Sequence, residues 1–387
     1  MRGKDLKYQI LELIKKKGEI SRIELAKELK VTPASIGKNV RELLKDNFIL
    51  EGKNDISTGG RKPILLKVNN NNFGEVLGIY FAPKSIYISI ESIDGEIFFT
   101  TNYKITEKGE NIFFKCENIV EKIIKENSDI KTIAIVLNGL VDTERGVLIF
   151  SPHYNIKNFA VKERFIKRFS KKVIVENDVR TMALTEKVFG NCKNNHNFVV
   201  LNIEDGVGGS IFLNDGLYHG YDSISGELGH MTVKRDSLER CLCGKKGCLE
   251  TEVSNRAIIK KVVTQIKINN KYTSLKKILE KNSYLTIDDV VKAYEQKDML
   301  SLNTIGEAIY YIAYAIDMII SVINPEKIIL FGDIFKSEEI LENLLKETRK
   351  ITLDEQNYKI EVSKFLSDIY FKSPFALANY NIFLKGK

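Results

Sequence analysis

Cys241, Cys243 and Cys248 fall within eight residues of one another in a chain that has only five cysteines. An odd number of cysteines, three of them crowded together, points to metal binding rather than a disulfide framework. His230 lies a short way upstream. One imidazole and three thiolates suit a closed tetrahedral zinc site of the Cys₃His type, and with no open coordination position such a metal is structural. Cys116 and Cys192 stand apart, one in an apolar run and one in a loop-like stretch, and read as ordinary thiols.

A second group of residues suits a polyanion. The net charge is +8, yet residues 1–67 carry 16 Lys+Arg against 9 Asp+Glu, while the rest carry 43 against 42. A basic head on a neutral body suggests a nucleic-acid-binding module. Within it Thr32, Ser35, Lys38 and Asn39 fall on one face of a predicted helix, as small or hydrogen-bonding groups suited to phosphates and base edges. Arg61 and Lys62 follow a Gly59-Gly60 pair and precede Pro63, a segment able to place a guanidinium in an A·T-rich minor groove.

The elements that must position these groups follow from periodicity. Leu6, Ile10, Leu13 and Ile14 predict an amphipathic helix ended by Gly18. Ser21 with Glu24 forms a capping box for a short second helix. Thr32-Pro33 opens a third, with its core stripe at Ile36, Val40, Leu43 and Leu44. Gly37 inside that helix costs about 1 kcal/mol against Ala, and it allows close backbone approach to DNA. Two strands, 48–50 and 64–68, complete a winged helix-turn-helix over residues 1–68, with 69–72 as a polar linker.

From Val76 onward β-rich runs alternate with helices. The segments 76–81, 86–90 and 97–101 read as a meander, 111–125 as a helix, and 132–137, 172–176 and 198–203 as strands. Glycines then concentrate at Gly206, Gly208, Gly209, Gly216 and Gly220, followed by Gly226-Glu227-Leu228-Gly229-His230 and the run Cys241 to Glu250. This E-x-G-H plus C-x-C-G-x-x-G-C-x-E combination resembles the signature of the ROK family of repressors and sugar kinases. The resemblance covers residues 73–387, and the preceding winged helix is similar to the family's repressor branch.

The resemblance implies an α/β fold of two actin-like, ribonuclease-H-like lobes, about 73–186 plus a C-terminal segment, and 187–365, with a sugar in the cleft. It implies sugar contacts from Asn177, Asp178, Glu227, His230 and Glu250, with Asp178 at the position of the kinase general base and His230 shared with the zinc. His153, in Ser151-Pro152-His153, matches a Pro-His pair of some repressors. Such groups suit a sugar, whose vicinal hydroxyls donate to carboxylates and accept from amides. Ile156 stands where the family has Trp, and Arg180 where it has Asn.

The nucleotide half departs further. Where family kinases carry D-x-G-x-T, this chain has Gly78-Ile79-Tyr80-Phe81-Ala82-Pro83-Lys84-Ser85, and Tyr80 and Phe81 are expected to occupy the phosphate space. Glu204 and Asp205 precede Gly206, and Asp333 replaces a glycine near the adenine position. The expectation is a DNA-binding regulator, a repressor of carbohydrate-utilisation genes, rather than an enzyme. The alternatives are a sugar kinase with a fused DNA module, or a repressor controlled by a protein partner. The implied partners are double-stranded operator DNA, a small-molecule sugar and a second copy of the chain, since a homodimer matches a palindromic operator. No secretory signal and no run of about 18 apolar residues is found, so the expected location is the cytoplasm. The apolar face of a helix over 305–322 is expected to form the core between the lobes, with oligomerisation as the alternative.

Overall fold

The computed structural model describes residues 6–54, 63–93, 95–269, 271–353, 358–366 and 368–384. The chain divides into two compact units, Met1–Val188 with Tyr370–Lys387, and Phe189–Ile369.

The first unit opens with α1 (Leu6–Lys17), β1 (Glu19–Ser21), α2 (Arg22–Leu29), α3 (Pro33–Lys45), β2 (Ile49–Asn54) and β3 (Ile64–Val68). α1 buries Ile10, Leu11 and Ile14, whereas Leu13 is only half-buried. The Ser21–Glu24 capping box is present in full. Thr32 caps α3 ahead of Pro33, and Ile36, Val40 and Leu43 form the buried stripe. β1 is too short to show alternation in sequence, yet it pairs with β3 from Glu19↔Lys67 to Ser21↔Leu65 and completes a β1-β3-β2 sheet.

The expected linker is mostly α4 (Asn70–Phe73), because Phe73 is buried and anchors it. The Phe73 ring lies 5.6 Å from that of Phe48 and 5.2 Å from that of Phe383. Lys15 Nζ sits 4.1 Å over Phe383 and donates to the carbonyl of Ile93. The winged helix therefore rests on the body of its own unit through an aromatic cluster.

That body contains β4 (Glu75–Ala82), β5 (Ser85–Ser92), β6 (Ile97–Lys104), α5 (Asn111–Glu126), β7 (Ile130–Leu137), β8 (Leu140–Asp142), β9 (Val147–Ser151), β10 (Ile156–Phe159), α6 (Val161–Phe169), β11 (Lys172–Asn177) and α7 (Asp178–Val188). Its main sheet runs β11-β7-β4-β5-β6. β4, β5 and β6 form an antiparallel meander, and β7 and β11 add parallel to β4. The C-terminal helix Ile369–Asn379 packs on this sheet: Tyr370 stacks on Tyr87 at 4.4 Å, and a Cβ on Gly78 would come within 2.8 Å of Pro374.

The second unit repeats the plan with β12 (Phe198–Ile203), β13 (Val207–Leu213), β14 (Gly216–Leu217), α8 (Leu249–Val253), α9 (Asn255–Lys267), α10 (Leu275–Asn282), α11 (Ile287–Glu295), α12 (Met299–Ile323), β15 (Lys327–Phe331), α13 (Glu338–Ile351) and β16 (Lys359–Val362). Its sheet runs β14-β13-β12-β15-β16, again a meander followed by two strands parallel to the first. Counted within each five-stranded sheet the strand order is 3-2-1-4-5 both times, the ribonuclease-H-like arrangement. Among the described residues α12 alone is long and apolar enough to cross a membrane. Its Ile305, Ile309, Ile312, Ala313, Ile316, Ile319 and Ile320 are buried in the core of the second unit itself.

Candidate functional site

In the second unit, the ligating atoms of His230, Cys241, Cys243 and Cys248 all lie within 4.8 Å of one another. Cys243 Sγ and Cys248 Sγ are 3.7 Å apart, and Cys241 Sγ is 3.4 Å from His230 Nδ1. A tetrahedron with metal–sulfur bonds of about 2.3 Å has sulfur–sulfur edges of about 3.8 Å, so this donor set can hold a metal ion and fits zinc. Burial raises the thiol of Cys241, and burial with the adjoining thiols pushes Cys248 up to about 12. In Cys243 the burial effect is outweighed by the Lys245 N–H, the neighbouring thiols and the Lys245 charge, which leave it below its ordinary value. A cation in their midst removes the conflict among three crowded sulfurs.

Backbone geometry makes this knuckle possible. Gly247 has φ +70° and a Cβ there would meet the Lys234 carbonyl at 1.9 Å. At Gly229 a Cβ would meet the Val207 carbonyl at 2.1 Å. Both glycines of Gly226-Glu227-Leu228-Gly229-His230 therefore press the turn onto β13, since Gly226 has φ +91° and faces the Gly209 carbonyl. His230 thus turns Nδ1 toward the thiols, while Nε2 lies 3.8 Å from Glu227 Oε2. A carboxylate beside the outer nitrogen orients a metal-bound imidazole. Glu227 is otherwise exposed. Glu250 is the second residue of α8, which Cys248 precedes; it accepts the Val207 N–H at 3.1 Å and has Arg256 3.9 Å from its other oxygen.

In the first unit Asn177 and Asp178 lie where β11 passes into α7. Asp178 Oδ1 accepts the Val179 N–H at 2.9 Å and Asn177 Nδ2 at 2.8 Å, and Oδ2 accepts Asn138 Nδ2. Asn177 also donates to the Gly139 carbonyl and accepts the Arg180 N–H. Arg180 is buried, ion-paired to Glu176 at 2.8 Å and bonded to the Val141 carbonyl at 2.7 Å. His153 is exposed on the turn between β9 and β10. Its neighbour Tyr154 is buried, and its hydroxyl donates to the Ala82 carbonyl at 2.9 Å. Burial, then the Asp178 charge, push that phenol well above its ordinary range. The sequence reading missed Asn138; an amide followed by Gly139 at the end of an apolar strand was the available signal.

The two rings expected in the phosphate space are packed elsewhere. Tyr80 packs edge-on against Tyr370 at 5.1 Å and Phe81 lies in the core 4.7 Å from Phe113. Strand alternation sends them to opposite faces of β4, away from any loop. A two-residue turn stands at that position: Ala82 pairs with Ser85 across Pro83-Lys84. Proline has no N–H, so this turn carries one backbone donor fewer. In the second unit Asp333 instead pairs with Lys336 at 2.7 Å.

On α3, Thr32 and Lys38 are exposed and Ser35 and Asn39 half-buried. Thr32 Oγ1 accepts the Ser35 N–H, and Asn39 donates to the Ser35 carbonyl. A Cβ on Gly37 would meet nothing within 4 Å, so that face of the helix is open. Arg61 and Lys62 lie outside the described residues.

A family model described as ROK family matches residues 85–367. The chain belongs to the ROK family. A second model, described as winged helix-turn-helix DNA-binding, matches residues 4–49. The crystal structure of a ROK family transcriptional regulator, a homologue of the E. coli MLC protein, superposes with a TM-score of 0.85 at 30% identity, covering 98% of this chain and 96% of that one. The regulator NagC of Escherichia coli K12 is 27% identical over 86% of this chain and 81% of its own. The xylose repressor of Caldicellulosiruptor bescii is 28% identical over 92% and 91%. The ROK hexokinase of Thermus thermophilus, at 18% identity and a TM-score of 0.67, shares the fold over 80% of this chain and 99% of its own. The chain is thus a ROK transcriptional regulator that binds DNA through its winged helix.

Proposed function

We propose that this ROK regulator is a sugar-responsive repressor of carbohydrate-utilisation genes, acting in the cytoplasm as a homodimer and without kinase activity. The carrying observation is the contrast within the first unit: Asn177 and Asp178 are held in a fixed polar network, while the phosphate-loop position is a two-residue turn at Pro83-Lys84. In the first unit Asn177, Asp178 and His153, the last on the turn between β9 and β10, are the candidate contacts to sugar hydroxyls, and in the second unit Glu227, His230 and Glu250. Zinc on His230, Cys241, Cys243 and Cys248 is structural, because all four tetrahedral positions are protein donors. It fixes the segment that carries Glu227 and Glu250. Thr32, Ser35, Lys38 and Asn39 meet the operator, with Arg61 and Lys62 on the wing.

The test is a thermal-shift screen of the full chain against D-xylose, D-glucose and N-acetyl-D-glucosamine, with and without magnesium-ATP. At least one sugar raises Tm, ATP adds nothing, and no ADP appears. Sugar-dependent ADP production abolished by Asp178→Asn overturns the non-enzyme reading. No shift with any sugar points to control by a protein partner.

A further inference from the structure

We infer that Asn138 is a ligand-positioning residue of the sugar site, holding Asp178 as a hydrogen-bond acceptor for a sugar hydroxyl. The inference rests on the sugar-responsive reading above and adds a residue to it. In the register of the parallel pair β7 and β11, Leu137 is opposite Asn177. The next residues, Asn138 and Asp178, therefore leave their strands at the same level. This is the carboxyl end of adjacent parallel strands, where open α/β sheets take their ligands.

The turn that presents Asn138 is sterically fixed. Gly139 has φ +129°, and a Cβ there would lie 2.4 Å from the Phe150 carbonyl. Asp178 is only 6% exposed, and three donors converge on it: the Val179 N–H, Asn177 Nδ2 and Asn138 Nδ2. These donors hold both carboxylate oxygens in place, and a carboxylate, with about four lone-pair sites on its two oxygens, can take a sugar hydroxyl as well. Because a carboxylate can only accept, the Asn138 amide must turn its nitrogen to Asp178. Its own carbonyl oxygen, on a half-exposed residue, has no partner among the described residues.

The experiment is calorimetric titration of the full chain with whichever of D-xylose, D-glucose and N-acetyl-D-glucosamine binds best, for wild type, Asn138→Ala, Asp178→Ala and the double variant. Asn138→Ala weakens binding about tenfold, and the double variant binds no more weakly than Asp178→Ala, because the two act as one unit. Asn138→Ser, which keeps a hydroxyl donor of shorter reach, recovers part of the loss, an outcome that a purely structural role does not give; it also replaces Asn138→Ala in the cycle if that variant does not fold. Unchanged affinity in a folded Asn138 variant, with loss in Asp178→Ala, overturns the Asn138 assignment and leaves the sugar reading standing. Additive losses overturn action through Asp178. Wild-type protein that binds none of the three sugars removes the sugar reading, and the role of Asn138 with it.

Discussion

Arg180 Nε lies 2.8 Å from Glu176 Oε1, with the two side chains 4% and 2% exposed. The pair straddles the junction where β11 becomes α7, so it brackets Asn177 and Asp178 in sequence and in space. Thr143 also donates to Glu176 Oε1 at 2.7 Å, and the Arg180 guanidinium reaches the Val141 carbonyl. The arginine that replaces the family's usual Asn is therefore a buried brace under the two residues assigned to sugar, tying them to the small β8–β10 sheet.

Removing one partner of a buried ion pair strands the other charge, which costs about 3–5 kcal/mol. Arg180→Met is expected to destabilise the protein by that order in urea unfolding. Glu176→Gln with Arg180→Met should recover most of the loss. Equal destabilisation by the single and the double variant would contradict the brace.

Local chemistry made much of this molecule legible. The capping box, the Thr32-Pro33 start and the apolar stripe of α3 are all short-range signals, and they placed the winged helix correctly. The E-x-G-H and cysteine motif was readable because its glycines answer to tight backbone contacts at Gly226, Gly229 and Gly247. What stayed hidden was non-local. β1 exists only by virtue of its pairing with β3, and the duplicated 3-2-1-4-5 strand order depends on which strands meet. Asn138 acquires meaning only through Asp178, 40 residues away, and Arg180 reaches the Val141 carbonyl, 39 residues away, besides its near neighbour Glu176. Tyr80 and Phe81 were legible as bulk but not as direction; the pleat decides which face each ring takes.

The metal centre has one exposed ligand, Cys243, beside buried Cys241 and Cys248. Cys243→Ser should drop metal content well below one ion per chain by elemental analysis and lower Tm, since a cation shared by four donors cross-links residues 230–248. Metal-depleted wild type should show the same Tm. A stable Cys243→Ser protein without metal would remove the structural role.

On α3 three substitutions separate folding from DNA contact. Thr32→Ala loses the cap to Ser35 and should cost about 1 kcal/mol of stability. Lys38→Ala should leave stability unchanged and weaken DNA binding. If it meets one phosphate, it lowers the salt slope by about 0.9. Gly37→Ala has open space for its methyl and should add about 1 kcal/mol to the helix. Weaker operator binding by that more stable variant would identify Gly37 as a point of backbone approach; unchanged binding would rule this out.

Glu91 supplies a pH dependence. It is 1% exposed on β5, and neither carboxylate oxygen has a well-formed hydrogen bond. Burial raises it to about 7, against the pull of Lys372 on the C-terminal helix and of Ser89. The folded carboxyl thus keeps its proton where the unfolded one has lost it, so the folded state binds more protons between about pH 4.5 and 7 and stability falls as pH rises through that window. The loss approaches about 3 kcal/mol. Glu91→Gln should flatten the profile, matching wild type near pH 5 and exceeding its Tm at pH 8. Parallel profiles for the two proteins would show that Glu91 does not titrate there.

The direction of the switch follows from linkage. A sugar changes DNA affinity only if it binds the DNA-competent and DNA-incompetent states differently, and coupling of about 1–3 kcal/mol corresponds to roughly 5–150-fold. For a repressor of sugar-utilisation genes the useful sign is weaker DNA binding with sugar bound. Operator titration with and without the best-binding sugar should therefore show lower affinity in its presence. Asp178→Ala and Glu227→Ala should give proteins that bind DNA as wild type does without sugar, and that stay bound when sugar is added. Neither residue belongs to the winged helix, so their loss removes none of the DNA contacts assigned to it. A sugar that tightens DNA binding would make it a corepressor, with the same two variants then failing to respond. A sugar that binds yet leaves operator affinity untouched would sever ligand from switch and move the signal to a protein partner.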